Sequence, residues 1–217
     1  MTMRATPKAT EVRPPSISER LSPASNVTLS DDLELSHADV TGHAWSDAAG
    51  KDVRFRAVRM TRTSLARAKL RRTDWEHVTC AACDLSGSVL EEPSFARVEL
   101  RECTLVGARW ADARLLDVRF VECQMQMATF WSARFTRVRF ERCNLREVDF
   151  HGADLTGVCF EQCDLTLANW ADTKLGGADV TSSNISRLKV AAASLPGLVV
   201  SRAQAVDLAA LFGLIVV

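Results

Sequence analysis

Apolar side chains recur at every fifth residue of this chain, in one unbroken phase from Leu35 to Val200. Of the 34 positions in this frame, 33 are apolar, and Gly50 is the exception. A period of five matches neither an α-helix, which repeats about every 3.6 residues, nor a strand, which repeats about every two. Self-similarity at a fixed spacing indicates a repeat protein, whose core is built from stacked copies of one unit.

A second period of 20 residues lies over the first. Valine recurs at this spacing from Val58 to Val158, and cysteine recurs from Cys83 to Cys163. Two residues before each apolar centre, 29 of the 34 positions carry Ala, Cys, Ser, Thr or Val. Because 20 residues make four units, we expect a four-sided coil with one large and one small side chain of each unit pointing inward. Stacking at about 4.8 Å per coil then gives a rod of about eight coils.

The charged residues provide an independent test of the 20-residue coil. Residues that are stacked neighbours should carry opposite charges more often than like charges. The expected partners are Arg54 with Asp74, Arg56 with Glu76, Arg71 with Glu91, Arg72 with Glu92, Glu99 with Arg119, Asp117 with Arg97 and Arg137, Glu122 with Arg142, and Arg134 with Asp154. These pairs support the coil, and they place the charges on its outer surface.

Units such as Ala38-Asp39-Val40 and Ala178-Asp179-Val180 follow the pattern Ala-(Asp/Asn)-Leu-X-X. In this pattern the chain resembles the pentapeptide repeat family over about residues 33–200. The resemblance implies an all-β fold, a right-handed quadrilateral β-helix, with no catalytic residues and no cofactor. Qnr-type quinolone resistance proteins and their mycobacterial counterparts in this family bind type II topoisomerases, so the resemblance also offers DNA gyrase as a partner.

Three segments follow from these patterns. Residues 1–32 lie outside the frame and contain four prolines, which predicts a mobile N-terminal arm. Residues 33–200 form the β-helix, and residues 201–217 form a short helix with an apolar tail. Ser201 and Gln204 have the spacing of a helix capping box, and Gly213 is suited to end the helix. Such a helix would cap the last coil, as a solenoid requires.

The C-terminal segment carries more apolar residues than a cap needs. We therefore expect a two-fold dimer through this end, in agreement with the resemblance, since Qnr-type proteins pair through a similar helix and tail. The predicted dimer interface consists of Leu208, Leu211, Phe212, Leu214, Ile215, Val216 and Val217.

Little in the sequence indicates catalysis or a bound cofactor. There is no glycine-rich phosphate loop, and neighbouring columns of the coil bring together no Ser/His/Asp or Cys/His grouping. Five of the seven cysteines belong to the inward column. The one C-x-x-C pair, Cys80 and Cys83, has no second such pair and no histidine cluster beside it, so it does not indicate a metal site. Free core cysteines are typical of a reducing cytoplasm. The 22 Arg against 5 Lys indicate a GC-rich bacterial source.

One aromatic side chain is predicted to point outward. Trp131 directly follows the inward Phe130, and Met127 lies near the adjoining corner. Exposed Trp and Met are frequent interface residues, so these two form a possible partner-binding surface.

We expect a non-enzymatic protein-interaction rod, dimeric through its C-terminal end. The alternative is a DNA-mimic-like gyrase-binding protein that protects against quinolones. A mimic needs dense negative charge, whereas this chain has a net charge of zero. A second alternative is weak nucleic-acid binding through residues 51–72, which hold nine Lys or Arg and one acid.

Overall fold

The computed structural model describes residues 11–18 and 20–215. These residues form short strands, one 3-10 turn at Ala192–Ser194 and one α-helix, α1, at Arg202–Leu211. The strands are β1 (Ser22–Pro23), β2 (Glu34–Ser36), β3 (Ala38–Thr41), β4 (Ala49–Lys51), β5 (Arg54–Thr61), β6 (Lys69–Arg71), β7 (Asp74–Ala81), β8 (Val89–Glu91), β9 (Ser94–Arg101), β10 (Arg109–Ala111), β11 (Arg114–Val121), β12 (Arg134–Glu141), β13 (Cys159–Glu161), β14 (Asn169–Trp170) and β15 (Lys189–Val190).

The strands stack in parallel with a shift of 20 residues from coil to coil. Phe55 pairs with Trp75, Trp75 with Phe95, and Phe95 with Leu115. The largest sheet runs β1-β3-β5-β7-β9-β11-β12-β13, with β2 also paired to β5, and a second sheet runs β10-β8-β6-β4. This register confirms the four-sided β-helix of about eight coils that the two sequence periods predict.

Each eight-residue strand bends in its middle and so covers two adjoining faces. The bend is a residue with positive φ, such as His77 at 54°, Arg97 at 55° or Asp117 at 56°. A left-handed conformation of a non-glycine residue costs about 1 kcal/mol or more, and the ladders on both sides of the corner offset this cost. These corner residues form a column along one edge of the rod.

The core consists of the apolar centres and the small residues two positions before them. Phe120, Phe140 and Phe160 stack face to face, with ring centroids 4.7 and 5.0 Å apart. The predicted cysteine column is buried, and the thiol of Cys143 lies 3.5 Å from the carbonyl of Phe120. Serine replaces cysteine at the end of this column, where Ser183 Oγ donates to the Phe160 carbonyl at 2.9 Å.

Buried tryptophans need a partner for the indole N–H. Trp75 Nε1 donates to Thr73 Oγ1 at 3.0 Å, so the small residue two positions earlier supplies the acceptor. Trp170 is equally buried, but Ala168 occupies that position, and its Nε1 has no hydrogen-bond partner among the described residues. This donor is a weak point in the core.

The core begins ahead of residue 33, where the sequence pattern places its boundary. Leu29 is 5% exposed and packs into the core over Gly50. A Cβ on Gly50 would lie 3.1 Å from the Ser30 carbonyl oxygen and 3.3 Å from the Leu29 side chain. Trp45 Nε1 also donates to the Val27 carbonyl at 2.8 Å. The one gap in the apolar frame is therefore the place where the preceding chain closes the first coil.

The C-terminal end is closed by α1, as the sequence predicts. Its capping box is formed, and the side chain of Gln204 reaches back to the last coil. Gln204 Nε2 donates to the carbonyls of Val180 and Ser183, both at 2.7 Å. One coil earlier, the Asn184 N–H donates to the Cys163 carbonyl at 2.9 Å, 21 residues back. In a further coil, a backbone N–H would donate to the Ser183 carbonyl in the same way. At the end of the rod, the side-chain amide of Gln204 takes the place of that donor.

Candidate interaction surface

The surface of the described residues is poor in groups suited to catalysis. No group of three or more His, Cys, Asp or Glu side chains in this part of the chain could hold a metal ion. A cavity of about 590 Å³ is an open groove along one corner, lined by charged residues that include Asp52, Arg72 and Arg114. All seven cysteines lie in the described part of the chain and are free thiols. Hydrogen bonds to the neighbouring thiols and burial raise the pKa of Cys123, which keeps it protonated.

Stacked ion pairs cover much of the outer surface. Arg56 meets Glu76 at 3.0 Å, Arg71 meets Glu91 at 3.9 Å, and Arg142 meets Glu122 at 2.7 Å. These contacts agree with the pairs expected from the sequence, and they show that neighbouring coils neutralise each other's charges.

Other charged residues form ion pairs with partners different from those expected. Arg72 turns to Asp52 on the preceding coil, at 2.7 Å, and not to Glu92. Asp154 contacts Lys174 at 3.7 Å in place of Arg134. In a column of alternating charge each residue has an opposite charge above and below, so rotamer geometry decides which contact forms. Within the described residues, Arg54 and Asp74 form no ion pair within 4.0 Å, and neither do Arg97 and Asp117.

Two carboxylates on this surface are buried. Arg119 binds Glu141 with two hydrogen bonds of 2.7 and 2.6 Å, and Arg137 binds Asp117 with two of 2.6 Å. The guanidinium of Arg137 holds the pKa of Asp117 below its ordinary value, and that of Arg119 does the same for the pKa of Glu141. Bidentate pairs of this kind fix the position of both side chains.

The two residues predicted as a partner-binding surface are both exposed. Trp131 is 51% exposed, and Met127 is 55% exposed. They flank Thr129 on one side of the rod. One coil earlier the equivalent positions are Gly107 and Ala111. Because these residues are small, Met127 and Trp131 extend further from the rod than the side chains beside them on that coil. The arrangement offers two apolar anchors on an otherwise polar surface.

The predicted dimer interface divides into two parts. Leu208 is 7% exposed and packs onto the rod, so it belongs to the cap. The remaining described members, with Val206, form an exposed group that we name the C-terminal patch, in which Leu214 is 64% and Ile215 is 90% exposed. The C-terminal patch consists of Val206, Leu211, Phe212, Leu214 and Ile215. Val216 and Val217 lie outside the described residues.

Sequence reasoning missed two further surface features. Leu116 is an exposed leucine in the middle of β11, and only its place one residue after an apolar centre could have indicated this. Residues 11–18 lie against the corner column of β7 and β11 through hydrogen bonds to His77 and Asp117. Because these contacts join residues 61 and 104 positions apart, no local pattern could predict them.

In the part of the chain that the structure describes, no helix has the length and hydrophobicity to cross a membrane.

Comparison with known proteins shows one family match. The family model described as pentapeptide repeat region matches residues 93–170. No curated protein matches the chain.

Among solved structures, full-length QnrB1, a plasmid-mediated fluoroquinolone resistance protein, is 15% identical, with 85% of this chain and 100% of that chain covered and a TM-score of 0.41. HetL, a pentapeptide repeat protein involved in heterocyst differentiation in the cyanobacterium Nostoc, is 16% identical, with 73% and 87% covered and a TM-score of 0.25. A pentapeptide repeat protein of the Arabidopsis thaliana thylakoid lumen is 23% identical, with 45% and 61% covered and a TM-score of 0.24.

The family match covers only the middle of the rod, but the same five-residue unit and the same 20-residue register continue on both sides of it. Residues 93–170 therefore match the pentapeptide repeat region, and the flanking coils share the five-residue unit and the register of the matched segment.

Proposed function

We propose that this protein is a non-enzymatic interaction rod that pairs with a second copy of itself through the C-terminal patch. The proposal keeps an N-terminal arm, a β-helix up to residue 200 and a dimerising segment over residues 201–217. It moves the first boundary from residue 33 to a point ahead of Leu29, which packs into the core. The observation that carries it is the exposed apolar surface beyond the cap, with Ile215 at 90% and Leu214 at 64% exposure.

Exposed apolar groups of this kind mark interaction sites in soluble proteins. Burying one large aliphatic side chain contributes about 1.5–3 kcal/mol, so several of them in contact can hold two rods together. A two-fold axis lets one patch meet the same patch on the second copy, and the contact closes without further growth. An end-to-end dimer also leaves all four faces of both rods free for other partners.

Sizing chromatography with light scattering tests the dimer. We expect the wild-type protein to elute as a dimer and the double variant Leu214→Asp/Ile215→Asp as a folded monomer. Met127→Asp/Trp131→Asp, which places the same two charges on exposed apolar positions in mid-rod, should remain a dimer. A wild-type monomer at the highest soluble concentration, or a dimeric double variant, would refute the proposal.

The partner-binding surface in this proposal is formed by Trp131 and Met127, and the partner is a protein. Two exposed, large apolar side chains on a rigid rod lose little entropy on binding beyond their own rotamers. The seven free thiols support a reducing cytoplasm as the location. Loss of a co-purifying protein in Trp131→Ala tests this surface, with Leu116→Ala, another exposed apolar residue outside it, as the control.

DNA gyrase is the alternative partner. The surface charges count against gyrase binding by DNA mimicry, because Glu141, Asp117 and Glu122 are each neutralised by a paired arginine. A mimic of DNA would keep such carboxylates free. The test is gyrase supercoiling with and without a quinolone, and absence of both inhibition and rescue refutes this alternative. For weak nucleic-acid binding, the corresponding test is a DNA mobility shift that weakens with added salt.

A further inference from the structure

The N-terminal arm, residues 11–18, runs along one corner of the rod. The backbone N–H of Arg13 donates to Asp117 Oδ1 at 3.1 Å, and the backbone N–H of Ser16 donates to His77 Nδ1 at 2.8 Å. Along the arm, Val12, Pro15 and Ile17 are half-buried and the other residues are exposed. The arm is therefore held by its backbone and by three half-buried apolar side chains.

The spacing of these two contacts matches the period of the rod. Asp117 and His77 stand two coils apart in one corner column, which is about 9.6 Å at the strand spacing. Three residues of a polyproline II segment advance about 9.3 Å and return to the same orientation. A segment in that conformation therefore presents one N–H to every second coil. Pro14 and Pro15, which lie between the two donors, favour this conformation and carry no N–H of their own.

The acceptor on β11 is held in position by the rod itself. Asp117 is buried, and Arg137 holds both of its oxygens at 2.6 Å. The carboxylate cannot rotate away without breaking two charge-assisted hydrogen bonds. Oδ1 nevertheless accepts the Arg13 N–H as well, so the pair leaves a lone pair directed at the arm.

The acceptor on β7 is the His77 ring, which two donors approach, the Ser16 N–H and the Arg97 guanidinium. To accept from Ser16, Nδ1 of a neutral His77 must be unprotonated, so the ring hydrogen lies on Nε2. Arg97 Nη1 lies 2.9 Å from that nitrogen, which places two donors opposite each other. A neutral imidazole can accept only one of the two hydrogen bonds. The arm and Arg97 therefore compete for His77, and this competition weakens the docked state.

We infer that this corner, which we name the peptide track and which consists of His77, Arg97, Asp117 and Arg137, binds an extended, proline-containing peptide of a partner protein. Residues 11–18 are its intramolecular occupant, and the partner peptide displaces them. The inference rests on the proposed function, since it assigns a surface and a kind of partner to an interaction rod. The arm is the observation that identifies the ligand, because it occupies the track through backbone donors spaced three residues apart.

Fluorescence anisotropy with a labelled peptide of residues 11–18 tests the track in the full-length chain. The variant Val12→Asp/Ile17→Asp replaces two of the three half-buried apolar side chains of the arm by charges. It should bind the added peptide at least tenfold more tightly than the wild type, in which the arm competes. A peptide with Ser16→Pro lacks the donor to His77 and should bind about fivefold more weakly. A peptide with Ser18→Pro loses an N–H that makes no contact with the track and should bind like the original.

Substitutions in the track of the arm-released chain complete the test. His77→Phe removes the acceptor and should weaken binding about fivefold, whereas His151→Phe, at an exposed position elsewhere, should not. Arg97→Gln replaces the opposing donor by an acceptor for the ring N–H and should tighten binding. Equal binding of the three peptides, or no binding to the arm-released chain, overturns the inference.

A second copy as the occupant is also an outcome of the experiment. If the Val12→Asp/Ile17→Asp chain loses self-association that the Leu214→Asp/Ile215→Asp chain retains, the arm pairs two copies and the inference is wrong. The two sets of variants lie at opposite ends of the chain, so failure of the peptide track and failure of the C-terminal dimer are distinguishable.

Discussion

Replacing Gln204 by alanine should open the C-terminal end of the rod. The side chain of Gln204 makes three hydrogen bonds, accepting from the Ser201 N–H at 2.8 Å and donating to the carbonyls of Val180 and Ser183 at 2.7 Å. Each contributes about 1 kcal/mol net, so their loss predicts about 3 kcal/mol of destabilisation. Water entering beside the open coil would reduce this toward about 2 kcal/mol, because it can satisfy the freed carbonyls.

Urea unfolding followed by circular dichroism measures this effect, and two variants separate its causes. Gln204→Glu keeps an acceptor for the Ser201 N–H but has no donor for the two carbonyls, so we expect it to be less stable than Gln204→Ala. Gln124→Ala removes an exposed glutamine from mid-rod and should change stability by less than about 0.5 kcal/mol. If Gln204→Glu is as stable as the wild type, the side chain does not replace the donors of a missing coil.

Three further predictions concern single positions in the rod. Gly50→Ala should destabilise the first coil by about 1–3 kcal/mol, because the added methyl group lies 3.1 Å from the Ser30 carbonyl oxygen, and thermal unfolding measures this against the wild type. Ala168→Ser should raise stability by about 1 kcal/mol in urea unfolding, because it supplies an acceptor for the buried Nε1 of Trp170, and an unchanged midpoint would contradict this. The paired guanidinium lowers the pKa of Asp117, so its carboxylate stabilises the fold above the unfolded pKa of about 4, and that contribution disappears as the pH falls through the lowered folded pKa. Wild type should therefore be more stable than Asp117→Asn at neutral pH, and this difference should shrink toward zero in acid. A difference that does not change with pH would show that the charge of Asp117 is not its source.

The fold could be predicted from the sequence because every coil repeats the same pattern of inward and outward residues. An inward residue such as Phe140 is marked by its place in the five-residue unit, and its stacked neighbours Phe120 and Phe160 are marked by the 20-residue period. The exposure of Trp131 follows from the same rule, since it is one residue past a centre. In a repeat protein each coil contacts mainly the next one, so short-range pattern carries most of the architecture.

The choice of ion-pair partners depends on rotamers that the pattern does not contain. Arg119 could reach Glu99 by the 20-residue rule, and it does so at 3.4 Å, but its two short hydrogen bonds go to Glu141. Glu141 lies 22 residues ahead of Arg119, beside the stacked position and not on it. A period fixes which columns are neighbours, whereas the length and torsions of two side chains fix which oxygen a guanidinium meets.

The sequence by itself determined the four-sided coil, the inward and outward sides of every unit, the buried cysteine column and the presence of a short C-terminal helix. Only the tertiary structure decided how the two ends close and where the N-terminal arm lies. In the sequence, Gly50 is only a gap in the repeat, whereas in the structure Leu29 packs over it. Gln204 is recognisable in the sequence as part of a helix cap, whereas its hydrogen bonds to the Val180 and Ser183 carbonyls are visible only in the structure. At both ends the period stops, so the unpaired backbone of the terminal coils is satisfied by residues whose positions no repeat specifies.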